Sequence, residues 1–398
     1  MRIDQQTLAF ILAHREEDVR TLALKYAKAS GIDLNQALTQ IEGWQKASEK
    51  LPSWAKMEGI LYPPLLSMEQ CSSELTARYK RQIIERYSKD HTSFTDLTGG
   101  FGIDFSFLAP LFQQATYVER QAALCELATA NFQTLGLSHV KVCHAETEDY
   151  LPQMPKVDWI FLDPARRSHS GGKVFAIQDC EPNLLEIKTL LLEKANHILV
   201  KLSPMLDIHQ ALKELPNVQE VHVVSVDNEC KELLLVMHKE AASQAPVIVT
   251  AQLFSNGNVP QVFHFTWEEE QEDCRYTSEL EHFLYEPNAA LLKAGAYRSV
   301  ARHWNLEKLH PNSHLYTSAD HQPTFPGRIF RIDGYAHFSK AELKTLLQGV
   351  EKANLTVRNF PQNVAELRKK LKLKEGGDIY LFATTLQDGS KVLIKCSR

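Results

Sequence analysis

Cysteine is sparse and unpatterned in this 398-residue chain: the seven, at positions 71, 125, 143, 180, 230, 274 and 396, are odd in number and form no C-x-x-C pair. That excludes a disulfide framework and a thiolate zinc site, and reduced thiols are expected. The sixteen histidines show no ligand spacing either, so no metal is expected. The N-terminal stretch has no long uncharged apolar run, so neither a signal peptide nor a membrane span is expected and the chain reads as cytoplasmic. Positive charge is not in excess: 44 Lys and Arg against 49 Asp and Glu give a net charge of −5, so any polyanion must be met by a local patch. Clean internal repeats and low-complexity tracts are also missing. With 44% hydrophobic residues and 23% charged, what is left is a globular chain with room for two or three domains.

Helical periodicity runs through residues 1 to about 45, with Leu8, Ile11 and Leu12, then Val19, Leu22 and Leu24, then Leu34, Leu38 and Ile41. Gly31 followed by Asp33 reads as a helix stop and a restart. Pro52, Pro63 and Pro64 break a linking segment, and a further helix runs from Ser72 or Ser73 as N-cap to Tyr87. From about 92 to 240 short apolar runs alternate with helix-like runs, the pattern of a parallel sheet covered on both faces. Strands are expected at 93–97, 115–119, 139–144, 157–162, 197–202, 220–226 and 232–238, the last two as an antiparallel hairpin at the sheet edge. Residues 246–267 read as two more strands around Ser255-Asn-Gly-Asn258, and the acidic run from Glu268 to Asp273 as exposed linker. A new unit begins near 281, and its second half mixes strands at 327–332, 353–358, 378–384 and 391–396 with helices at 339–350 and 362–371. The expected division is a helical region at 1–90, an α/β domain at 91–245, a hairpin and acidic linker at 246–280, a small segment at 281–326 and an α+β module at 327–398.

The most informative stretch is Phe94-Thr-Asp-Leu-Thr-Gly-Gly-Phe-Gly-Ile-Asp104. An apolar strand runs into Asp96, and Gly100-x-Gly102 allows a turn in which bare backbone approaches a ligand. Glu119 ends the next strand, where a doubly wound fold places a carboxylate on ribose hydroxyls. These features suit S-adenosylmethionine or a dinucleotide. Phe105 occupies the third glycine position of the dinucleotide fingerprint, which argues against NAD. Asp163-Pro-Ala-Arg166, directly after Trp159-Ile-Phe-Leu162, puts an acid, a rigid turn and a cation at the end of a later strand, a group that a dehydrogenase does not need.

Residues 92–240 resemble a class I S-adenosylmethionine-dependent methyltransferase, and the whole chain resembles bacterial methyltransferase-like proteins with a C-terminal THUMP-like domain. The stretches that carry the likeness are Cys71–Lys80, Asp96–Asp104, Leu162–Arg167, Glu229–Leu233, Glu286–Ala290 and Asn359–Pro361. The resemblance implies an α/β fold: a Rossmann-like seven-stranded sheet, an N-terminal helical region and a C-terminal α+β domain, ferredoxin-like at 281–326 and THUMP-like at 327–398. It implies that Asp96, Gly100 and Gly102 line the methionine moiety, that Glu119 takes the ribose, and that Glu146 falls where the superfamily has an Asp for the adenine amino group. Thr98 takes the place of the first loop glycine, a substitution common in RNA-modifying members, and Asp163 faces the transferred methyl.

Direct displacement on a sulfonium asks mostly for alignment. Ala165 and Arg166 replace the second proline and the aromatic ring of the Asp/Asn-Pro-Pro-aromatic motif, which disfavours transfer to the adenine amino group. The Asp-Pro-x-Arg form is similar to that of 5-methyluridine RNA methyltransferases, but Leu202 stands where those enzymes carry their cysteine, in Lys201-Leu-Ser-Pro204. Direct transfer to nitrogen or oxygen is therefore expected, with Asp163 orienting the acceptor and Arg166 either binding substrate phosphate or pairing structurally. Cys230 as an alternative nucleophile, and His169 as a base in a lid over Ser168–Gly172, are weaker candidates, and Arg167 reads as structural. Lys201 and Ser203 border the same crevice. Gln70, Ser72, Ser73 and Lys80 either form a lid over the cofactor or serve packing and capping. The expected partner is tRNA or rRNA, gripped by the C-terminal domain through Arg368-Lys-Lys-Leu-Lys-Leu-Lys374, five basic residues in seven, which otherwise reads as a solvated helix end. A small-molecule or protein acceptor, and a module that binds S-adenosylmethionine without transferring methyl, are the alternatives.

Overall fold

The computed structural model describes residues 3–87, 92–166, 176–240 and 244–398. It divides into two compact units, Met1–Gln219 with Leu233–Ala242, and Glu220–Glu232 with Ser243–Arg398.

The first unit opens with α1 (Gln5–His14), α2 (Val19–Lys25) and α3 (Leu34–Lys50), each started by an aspartate, Asp4, Asp18 or Asp33, whose carboxylate accepts backbone N–H groups of the first turn. α4 (Glu74–Tyr87) is capped by Ser73, which accepts the Thr76 N–H at 3.2 Å, and that leaves the Ser72 hydroxyl for another partner. The helices are integral to the unit. Ala47, Leu51, Trp54, Met68 and Ala77 share one core with Phe101, Ile103 and Phe107 of the glycine loop and the helix after it.

β1 (Ser93–Asp96), β2 (Gln114–Glu119), β3 (Val140–His144), β4 (Val157–Leu162) and β5 (Ala195–Leu202) form a parallel sheet in the order β3-β2-β1-β4-β5. After β6 (Val218–Val226), residues 233–238 of β7 (Glu229–His238) pair antiparallel with β5. Trp159, Ile160, Phe161 and Leu162 are all buried, as expected of a central strand covered on both faces. α5 (Ile103–Leu108), α6 (Ala122–Thr134), α7 (Leu184–Lys194) and α8 (Ile208–Glu214) follow β1, β2, β4 and β5 in the chain. This is the Rossmann-like methyltransferase order, and the direction of winding reverses between β1 and β4. Phe105 goes into the core against Phe94, Tyr117 and Phe132.

In the second unit β6 does not lie at an edge. Residues 220–226 pair in parallel with β8 (Val247–Leu253), whose other side carries antiparallel β9 (Gln261–Phe265). The burial of Val221, His222, Val223, Val224 and Ser225 shows why: both faces of this strand are covered. The turn after it uses Asp227 and Asn228, both at positive φ, which is type I′ hairpin chemistry. The acidic run is largely exposed, as expected, but it is not irregular. Trp267–Gln271 is a helical turn, and the Glu270 carboxylate accepts the N–H groups of Tyr297, Arg298 and Ser299 at 3.0, 2.8 and 3.0 Å. α9 (Ala289–Ala294) and α10 (Arg298–His303) follow β10 (Phe283–Pro287). A mixed sheet orders β11 (Tyr316–Ser318), β10, β12 (Gly327–His337), β15 (Lys391–Ser397), β14 (Tyr380–Thr385) and β13 (Asn354–Arg358), with Glu307–Lys308 at its edge beside β11. Leu343 of α11 (Lys340–Leu346) and Leu367 of α12 (Val364–Leu371) pack with Leu381, Ala383 and Leu393 of this sheet. Among the described residues no helix is long and apolar enough to cross a membrane.

Candidate active site

β1 ends at Asp96, 1% exposed, whose carboxylate accepts the Thr98 N–H at 2.9 Å and bends the chain out of the sheet. Gly100 and Gly102 then sit at φ +55° and +85°, in the left-handed region, and Gly102 is the N-cap of α5. Gly99 is constrained by space: a Cβ there would lie 2.1 Å from the Tyr117 ring. At Gly100, among the described residues, the only atom near an added Cβ is the Thr98 carbonyl oxygen at 3.8 Å, so the loop presents its backbone without a covering side chain from them.

Glu119, at the end of β2, folds back onto this loop. One carboxylate oxygen accepts the Gly100 N–H at 2.9 Å, the other the Gln121 N–H at 2.8 Å. Each oxygen keeps a lone pair for a further donor such as a sugar hydroxyl. The Tyr117 hydroxyl donates to the Gly100 carbonyl and holds the loop from below. Thr98 accepts the Asp163 N–H at 2.6 Å, so its side chain ties the glycine loop to the turn after β4, a bond that glycine could not make. After β3, Thr147 donates to the Leu97 carbonyl at 2.6 Å, whereas Glu146 is exposed and its side chain caps nothing.

Asp163 is fixed at its side chain as well, by Lys201 of β5 at 2.6 Å. Lys201 also lies 3.9 Å from Asp104, on the first turn of α5. Asp104 in turn receives Lys80 of α4 at 3.0 Å and the Ser72 hydroxyl at 2.6 Å. Lys80 is wholly buried and also reaches the Ser72 oxygen at 3.2 Å. Burial opposes the charge of Asp104, but Lys80, Lys201 and Ser72 together hold its carboxyl below the ordinary value. Asp96 lies at the other extreme: burial first, then the neighbouring acids Asp104, Asp163 and Glu119, push it well up against the Thr98 N–H. Burial also raises Asp163, and Lys201 counters that rise.

The structure thus brings Asp96, Thr98, Gly100, Gly102, Glu119 and Asp163 to the carboxyl ends of β1, β2 and β4. The open backbone at Gly100, the spare lone pairs of Glu119 and the carboxylates near a cationic centre fit S-adenosylmethionine. Arg166 is described for its backbone alone, which pairs with Cys180. Its side chain, Arg167 and the Ser168–Gly172 segment with His169 lie outside the described residues. Of the four residues considered for a lid, Ser72 and Lys80 join the Asp104 network, Ser73 is a cap, and Gln70 is exposed. The Cys230 thiol donates to the Ala289 carbonyl at 3.2 Å and is kept protonated by burial. Asp104 is the residue that sequence reading passed over. The signal was there: an acid within Ile103-Asp-Phe-Ser-Phe-Leu108, a helix otherwise apolar apart from one serine, has to be buried with a partner.

A family profile described as a ferredoxin-like domain matches residues 283–326, and one described as THUMP domain-like matches residues 327–398. The crystal structure of a candidate methyltransferase from Porphyromonas gingivalis W83 is 37% identical, with a TM-score of 0.87 over 100% of this chain and 99% of that one. Two more solved structures overlap only in part. An rRNA methylase from Streptococcus thermophilus is 14% identical, with a TM-score of 0.30 over 40% of this chain and 94% of its own. A candidate methyltransferase from Streptococcus mutans in complex with SAH is 11% identical, with a TM-score of 0.32 over 40% and 96%. At these scores neither bears on substrate or mechanism. Curated proteins give no match.

Proposed function

This chain belongs to the family of S-adenosylmethionine-dependent methyltransferases that carry a C-terminal THUMP-like domain, and we propose that it methylates tRNA or ribosomal RNA by direct transfer to a nitrogen or oxygen. S-adenosylmethionine supplies the methyl group on a sulfonium centre. In this reading Asp96 and the Gly100–Gly102 backbone hold its methionine part, Glu119 holds the ribose, Glu146 meets the adenine from the exposed turn after β3, and Asp163 accepts the hydrogen of the acceptor group. Arg166 takes a substrate phosphate.

The observation that carries the reading is Asp163 itself. It is held at the main chain by Thr98 and at the side chain by Lys201, and its side chain remains 37% exposed at the rim of the crevice. A carboxylate fixed at two points and still partly exposed is suited to orienting an incoming acceptor. Direct transfer is supported by Leu202, buried where a pyrimidine-activating cysteine would stand, and by the burial of Cys230, which disfavours its thiolate. RNA as acceptor is supported by charge. Residues 327–398 hold fourteen Lys and Arg against seven Asp and Glu, a surplus of seven in a chain whose net charge is −5. Mass spectrometry of nucleosides from a strain lacking the protein, beside its parent, tests the reading: one methylated nucleoside of tRNA or rRNA should disappear and return on complementation. Identical nucleoside profiles would reject RNA as the substrate.

A further inference from the structure

Four charged side chains alternate in sign from the N-terminal helices to the crevice: Lys80, Asp104, Lys201 and Asp163, at successive separations of 3.0, 3.9 and 2.6 Å. A wholly buried ammonium needs compensation, and Lys80 obtains it from Asp104 and Ser72. Asp104 is thereby held from the α4 side by the Ser72 hydroxyl and by the ion pair with Lys80. Lys201 lies between two acids, closer to Asp163, the acid that faces the crevice.

We propose that Lys201 is a positioning residue for methyl transfer: anchored on its far side by the Asp104–Lys80–Ser72 cluster, it holds the Asp163 carboxylate ionised and turned toward the acceptor. The inference rests on the role given to Asp163 above. It assigns a purpose to a buried pair that neither the glycine loop nor the turn after β4 requires, and makes α4 part of the acceptor side of the site. Among the described residues the charged groups facing Asp163 include Lys201, Asp104, Lys80 and Asp96, and the titratable groups facing Lys201 also include Lys50 and Cys71.

The test is a carboxyl-carbon NMR titration of protein labelled at aspartate, with Asp163 assigned from the D163N spectrum. In K201M, Asp163 should titrate about one unit or more above its wild-type value, because an opposite charge at this distance favours ionisation by that much. K201R should restore it. With RNA from a strain lacking the protein, the acid limb of kcat/KM should move to higher pH in K201M, while affinity for S-adenosylhomocysteine stays within about threefold, a difference under about 0.7 kcal/mol. An Asp163 titration unchanged in folded K201M overturns the inference. So does a loss of donor affinity that matches the loss of rate. If K201M does not fold, K201Q takes its place and is read in the same way. A shifted titration without methylation of any RNA by the wild type would count against the RNA reading and leave the role of Lys201 standing.

Discussion

Asp104 and Asp96 lie close together and face opposite electrostatic fates. Asp104 is stabilised as an anion by the lysines around it, so its contribution to stability is present above the unfolded carboxyl value, about 4, and is lost as pH falls through its lower folded value. Asp104→Ala leaves Lys80 buried without its countercharge and should cost about 3–5 kcal/mol at neutral pH, the range for breaking one side of a buried pair. Urea unfolding at pH 7 and at pH 3 checks this: the gap between wild type and variant should be wide at pH 7 and narrower at pH 3. Equal gaps would mean that packing rather than charge sets the cost. The same comparison shows where sequence reading stopped. Asp96, Gly100, Gly102 and Glu119 could be proposed together because a ligand loop fixes their spacing along the chain. The partnership of Lys80, Asp104, Lys201 and Asp163 could not, since those residues meet only after four elements have packed.

At the scale of elements, the strands of the sheet were legible because each is a short apolar run bounded by turn residues. What failed was order at the edge. The covered faces of β6 signal an interior strand, yet an apolar run cannot say which strand lies beside it, and β8 took the place expected for solvent. The acidic run at Glu268–Asp273 is largely exposed, as expected, but part of it is ordered. Charge suggested exposed linker, while the Thr266 cap and three N–H groups at the start of α10 drew the chain into a helical turn. α12 holds the element most open to test. Arg368 is paired with Glu375 at 2.7 Å, whereas Lys369, Lys370, Lys372 and Lys374 are exposed at the end of the helix and just after it, Lys370 lying over the Phe338 ring. Reversing charge at Lys369 and Lys370 should weaken RNA binding and flatten the plot of log affinity against log salt by about 1.4 in slope, two phosphate contacts at roughly 0.7 each. Filter binding over a salt series reads the slope. An unchanged slope would rule α12 out as an RNA contact.

Across the molecule, charge and chemistry are segregated. The first unit holds the glycine loop and its acids, and the positive surplus is concentrated in the last 72 residues. A chain with this division needs no overall basic composition to use a polyanionic substrate. In the proposed reading Asp96, the glycine loop, Glu119 and Asp163 make one pocket for S-adenosylmethionine and its demethylated product. Calorimetric titration of the full chain with S-adenosylhomocysteine tests that most directly. Saturable binding should be seen with the wild type, and Glu119→Ala, folded by circular dichroism, should bind at least about tenfold more weakly, a loss of about 1.4 kcal/mol. No heat with the wild type, or equal affinity in the variant, would contradict the account.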